Sequence, residues 1–107
     1  MPQHQHPSWV YILQCNDGSY YTGCTTNLEE RVYQHQTGLY SGYTSKRRPI
    51  KLIWFEEFRD VHEAIDIERQ IKGWSRKKKE ALMREDFELL EELSKSSKIR
   101  KRKTENT

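Results

Sequence analysis

The stretch Trp9-Val10-Tyr11-Ile12-Leu13-Gln14-Cys15-Asn16-Asp17-Gly18-Ser19-Tyr20-Tyr21-Thr22-Gly23 decides the fold. Its first five residues are β-branched, aromatic or aliphatic, which suits a largely buried strand. Asn16 to Ser19 is a turn with a mechanism, because Asp-Gly readily supplies positive φ. Tyr20-Tyr21-Thr22-Gly23 then returns as a second strand. A chain that opens on a hairpin is not a doubly wound parallel sheet.

Working outward, Asn27 is a good N-cap, Glu30 completes a capping box and Gly38 can end the helix, so a helix is expected from about Leu28 to Thr37. Gly38 to Pro49 reads as a polar loop without structure, and loops of that length in small domains are often functional. Ile50-Lys51-Leu52-Ile53-Trp54-Phe55 reads as a third strand continuing toward Phe58. Asp60 and Glu63 repeat the capping pattern, giving a helix from Val61 to about Lys72 with Gly73 at its end. Ser75 can cap a short basic helix from Arg76 to Arg84, and an acidic helix is expected from Asp86 to Leu93. The order β-β-α-β-α-α-α describes an α+β domain, a small three-stranded antiparallel sheet flanked by helices.

The chain has 107 residues, 34% hydrophobic and 33% charged, enough for one domain with a thin core. That domain is expected over residues 8–93, between a disordered N-terminus (1–7) and a disordered basic tail (94–107). No apolar run approaches the roughly 20 residues of a membrane span, so no membrane partner is expected. The first seven residues lack the features of a secretory signal. Cys15 and Cys24 have neither zinc nor disulfide-framework spacing, so a reducing cytoplasm is the expected location and a monomer the default. The net charge of +3 hides an acidic stretch (residues 80–93) followed by the basic tail, which reads either as a solubilising segment or as a phosphate-contacting arm. Charge alone is a weak argument for nucleic acid.

Polar residues where apolar ones belong are more informative. On the helix from Val61, a stripe of Val61, Ala64, Ile65 and Ile71 has Glu68 in its middle. A carboxylate there is costly unless it is paired with a buried Arg, bound to a metal or placed at a cleft. On the first helix, Arg31 and His35 share the inward face with Leu28 and Val32. An inward Arg implies an anion, either a carboxylate such as Glu68 or a substrate phosphate. Tyr11, Tyr20 and Tyr21 on the hairpin are ordinarily packing residues. Gly23, however, follows Tyr21 by two and permits close approach of something bulky.

Taken in order, these residues resemble the GIY-YIG nuclease superfamily. Trp9-Val10-Tyr11 stands for its first strand motif and Tyr21-Thr22-Gly23 for its second. Arg31 follows Tyr21 by ten, and Glu68 follows Arg31 by thirty-seven. The stretch from Trp9 to about Leu82 is similar to the small stand-alone bacterial proteins of that group. Cys15-Asn16-Asp17-Gly18-Ser19, Arg48-Pro49-Ile50-Lys51-Leu52 and Glu68-Arg69-Gln70-Ile71-Lys72-Gly73-Trp74-Ser75-Arg76 are typical of them. Trp9 replaces the first glycine, at a strand position that needs none. Cys24 stands where several relatives place Lys, and His35 at a position that is Tyr or His in active relatives.

The resemblance implies hydrolysis of a phosphodiester with one divalent ion, Mg²⁺ or Mn²⁺, held by Glu68. It implies that Arg31 stabilises charge on the phosphoryl oxygens, and that Tyr11 or Tyr21 helps activate water with His35 as partner. Tyr40, Tyr43, Lys46, Arg47 and Arg48 suit base stacking and phosphate contacts, or simple loop polarity. Arg76 and Lys77 either extend the phosphate track or form a solvated helix face. Two functions compete. One is a metal-dependent endonuclease acting on DNA, with nicked, flapped or branched repair intermediates as candidate substrates. The other is a nucleic-acid-binding module that keeps the fold but cleaves little or not at all.

Overall fold

Val10 to Leu13 are wholly buried, so the strand that carries them needs cover on both faces and along both edges. In the computed structural model, which describes residues 7–94, that strand is β1 (Ser8–Gln14), the centre of a three-stranded sheet. It pairs antiparallel with β2 (Tyr20–Thr25) on one side and β3 (Lys51–Phe58) on the other. The turn between β1 and β2 forms as its residues require. Gly18 has φ +86°, and the Asp17 carboxylate accepts from the Ser19 amide at 3.0 Å and hydroxyl at 2.6 Å.

Register places the site. Tyr11 lies opposite Gly23 and Leu13 opposite Tyr21, so these side chains share one face. A bulge in the β1–β3 pairing sets Leu13 against Leu52, skipping Ile53. Leu52 and Ile50 therefore join Tyr11, Leu13 and Cys15 in one apolar cluster.

Helix α1 (Leu28–Thr37) has the expected bounds. Asn27 Oδ1 accepts from the Glu30 amide at 3.1 Å. The return bond differs from the usual box: the Asn27 carboxamide donates to Glu30 Oε1 at 3.2 Å. The Asn27 amide instead donates to Thr25 Oγ1. Gly38 ends the helix at φ +82°. Leu28 and Val32 pack on the Tyr11–Leu13 cluster, which presses His35, on the same stripe, into a wholly buried position.

Two expectations are corrected. The loop after Gly38 is not structureless, since Thr44–Lys46 forms a 3₁₀ turn and Thr44 is buried. In helix α2 (Val61–Lys72), capped by Asp60, Val61 is exposed while Ala64 and Ile71 are buried. The apolar stripe is thus narrower than the pattern suggested, and Glu68 lies at its partly buried edge.

The chain divides into two compact units at Lys72/Gly73. The second contains α3 (Arg76–Met83), capped by Ser75, and a further helix over residues 87–94. Ser94, expected to open the tail, is still helical. The expectations for residues 1–6 and for the tail beyond Ser94 lie outside the described residues.

Candidate active site

Six side chains from three local contexts meet over the β1–β2 face. The Tyr11 hydroxyl is 3.0 Å from His35 Nε2, and His35 Nδ1 is 2.6 Å from Thr44 Oγ1. Tyr21 lies 5.1 Å from the His35 ring and 6.4 Å from the Tyr11 ring, centroid to centroid. The Tyr40 ring is 4.4 Å from His35, and the Arg31 guanidinium sits 4.7 Å over it. Gly23 makes this assembly possible: a Cβ there would overlap the Tyr11 hydroxyl and ring. The bulky neighbour anticipated for Gly23 is therefore Tyr11 itself.

Burial sets the protonation states. Tyr11 is pushed up to about 12 by burial, with the Arg31 guanidinium beside it pulling the other way. Tyr21 is also raised, by burial first and then by the neighbouring Tyr11 and Tyr40 phenols. The Glu68 carboxylate adds a smaller upward push to both tyrosines, so its charge is felt across the cluster. Burial, and secondarily Arg31, lowers His35 to about 4. The imidazole is thus neutral at pH 7. With its proton on Nδ1 it donates to Thr44 and accepts from the Tyr11 hydroxyl; the other tautomer reverses both bonds.

The His35 shift has a stability consequence. Below its ordinary pKa of 6.5 the unfolded chain takes up a proton that the folded chain refuses until about pH 4. The stabilisation is therefore present above pH 6.5 and falls away as the pH drops toward 4. Between pH 7 and 5 this residue alone should cost about 2 kcal/mol. NMR titration of the His35 ring should show a neutral imidazole at pH 5; a midpoint above about 6 would contradict the buried site.

Glu68 does not pair with Arg31. Among the described residues its ion pair is with Lys72, one turn on, at 3.1 Å. Arg31, lacking a carboxylate partner there, keeps its charge for another anion. Cys24 lies among the same charges: burial and Glu68 raise its thiol, while Arg31 and Lys72 act against them. Lys72 thus brings a cation from α2 to the neighbourhood of Cys24 on β2.

The donor set suits a lightly ligated ion. Among the described residues no group of three or more His, Cys, Asp and Glu could hold a metal. Mg²⁺ keeps several waters and is bound through one or two carboxylates plus substrate phosphate, so a single partly buried Glu fits it. Lys72 engages Oε2, and the second oxygen of Glu68 remains for an ion.

Two of the loop cations have partners within the chain. Arg47 bonds Asp17 at 3.1 Å, donates to the Tyr43 carbonyl at 2.8 Å and lies 3.7 Å over the Tyr43 ring. Tyr43 in turn stacks on Tyr21. Arg48 donates to the Ser45 carbonyl and fills the space beside Gly38. Both arginines brace the loop that carries Tyr40 and Thr44. Lys46 is exposed. Arg76 and Lys77 are exposed on α3, in the second unit, where Arg76 pairs with Glu80. Sequence reasoning missed Thr44 and Lys72, and took Tyr40 for a loop contact when its ring belongs to the cluster. Only Lys72 left a signal, its i,i+4 spacing from Glu68.

The hairpin, α1 and α2 that carry Tyr11, Tyr21, Arg31, His35 and Glu68 all lie within the stretch that matches the GIY-YIG catalytic domain. Residues 7–81 match that family, and the chain belongs to the GIY-YIG nuclease family. It is 40% identical over 85 residues to a UPF0213 protein of Bacillus pumilus, covering 79% of this chain and 85% of that one. It is 41% identical over 81 residues to a UPF0213 protein of Haloquadratum walsbyi, covering 76% and 91%. A solution NMR structure of an E. faecalis protein, 39% identical, superposes with a TM-score of 0.53 over 79% of this chain and 88% of that one. The small three-stranded α+β fold is thus shared with these relatives.

Proposed function

We propose that this protein is a divalent-metal-dependent endonuclease that hydrolyses phosphodiester bonds in DNA. The hydrogen-bonded chain Tyr11–His35–Thr44, with Arg31 beside it and the Glu68 charge felt by both tyrosines, carries this reading. Arg31 binds the scissile phosphate, and its guanidinium faces the charge that develops on the phosphoryl oxygens. Glu68 holds the ion, Mg²⁺ or Mn²⁺. Bound there, the ion supplies Lewis-acid charge to the phosphate and makes a nearby water more acidic.

The two tyrosines divide the remaining work. Tyr11 is wholly buried and bonded to His35, so it positions the imidazole and the Arg31 head. Tyr21 is the partly exposed phenol and meets the attacking water. Neither is a standing phenolate: an ordinary phenol is protonated at neutral pH, and burial moves both further from ionisation. Water activation therefore depends on charge that arrives with substrate and ion.

That same protonation favours the second reading, a nucleic-acid-binding module with little cleavage. One experiment separates the two. Purified protein is incubated with nicked, flapped, branched and plain duplex DNA, with Mg²⁺, Mn²⁺ or chelator, and strand breaks and complex formation are both scored. Metal-dependent cleavage of at least one form supports the endonuclease. Binding without cleavage in every arm leaves the binding module, and neither activity removes both.

A further inference from the structure

Beside the catalytic cluster is a polar cleft that its chemistry does not use. It is an open cleft of about 250 Å³ lined by Thr25, Thr26, Asn27, Glu30, Arg31 and Gln34, of which Thr26, Asn27 and Glu30 are exposed. Arg31 belongs to both places, since the residue that reaches Tyr40 and Tyr11 also forms part of this wall.

Most of the lining is already engaged. Asn27 and Glu30 bond each other, and Thr25 Oγ1 bonds the Asn27 backbone. Among the described residues, the Gln34 carboxamide and the Thr26 hydroxyl have no hydrogen-bond partner. The Glu30 carboxylate disfavours a second phosphate here. A neutral part of a nucleotide is what the remaining groups can receive. A cleft of that size, open to solvent on one side, has room for a flat base.

Geometry ties the cleft to the cut. Gln34 follows Arg31 by three on α1, and side chains at that spacing have Cβ atoms about 5–6 Å apart. A polynucleotide whose phosphate is held by Arg31 brings the adjoining nucleotide within reach of Gln34. A carboxamide offers one donor and one acceptor side by side, the pattern that pairs with N7 and the N6 amine of adenine.

We propose that this cleft is the subsite for the nucleotide next to the scissile phosphate, and that Gln34 reads its base edge with a preference for adenine. The assignment rests on the nuclease reading for its position beside the cut. Its base preference can be measured without cleavage.

In chelator, fluorescence anisotropy with labelled hexanucleotides of dA, dC or dT reads the subsite directly. The wild-type protein should bind oligo(dA) about fivefold or more tighter than oligo(dC), and Gln34→Ala should bring that ratio near one. Gln34→Glu, which can only accept, should turn the preference toward oligo(dC), whose N4 amine donates. A merely structural glutamine would not produce that reversal. With Mn²⁺, sequencing of the cut ends should place adenine beside the break, and Gln34→Ala should flatten that profile. Equal ratios for wild type and Gln34→Ala overturn the Gln34 assignment, whether or not DNA is cut. A dA preference lost in Gln34→Ala, with no cleavage by the wild type, supports the base reader and overturns the nuclease reading instead.

Discussion

Glu68→Gln should lower metal-dependent cleavage by about 10³-fold or more, the scale on which a lost charge stabiliser acts. Gln keeps the volume and one carbonyl oxygen but removes the charge that balances a divalent ion. Nucleic-acid binding in chelator should change by less than about threefold, because Arg31 and the loop are untouched. Stability is the second readout. Had Glu68 paired with Arg31, the change would strand a partly buried cation and cost about 3–5 kcal/mol. Its partner is Lys72, whose side chain is 54% exposed and can return to water. The loss should therefore stay below about 1 kcal/mol. Nicking assays in Mg²⁺ and Mn²⁺, with thermal melting of the same sample, read both. Cleavage at the wild-type rate would end the assignment of Glu68 to the metal.

Gly23→Ala should be strongly destabilising. Its Cβ would enter the space of the Tyr11 hydroxyl and ring. Tyr11 has nowhere to retreat, being wholly buried, bonded to His35 and packed with Leu13, Cys15 and Ile50. Overpacking costs about 1–3 kcal/mol and the lost Tyr11–His35 bond about 1 more. That sum is about 2–4 kcal/mol, and at about 4–8 °C per kcal/mol for a small domain the Tm should fall by roughly 8–30 °C. Cleavage should fall with it at temperatures where the protein remains folded, since the His35 chain is broken. A variant within about 2 °C of wild type, with an unchanged His35 NMR signal, would show that the ring moves aside freely.

How much of this was legible beforehand depends on how local each signal is. Asn27 with Glu30, Gly38, Asp60 with Glu63, and Asp17-Gly18 act within a turn of the chain, so they set the bounds of α1, α2 and the hairpin from the sequence itself. The apolar run Val10–Leu13 likewise announced a buried strand, and the inward positions of Arg31, His35 and Glu68 announced a site. Periodicity says which face of a helix turns inward. It does not say which inward groups meet. That Glu68 takes Lys72 and leaves Arg31 to another anion depends on how α1 and α2 sit on the sheet. The loop has no period at all, so nothing in the sequence placed Thr44 on His35, Tyr40 beneath Arg31, or Arg47 over Tyr43. A 3₁₀ turn and a set of long-range contacts decide those positions, and they exist only once α1 and the hairpin have packed together.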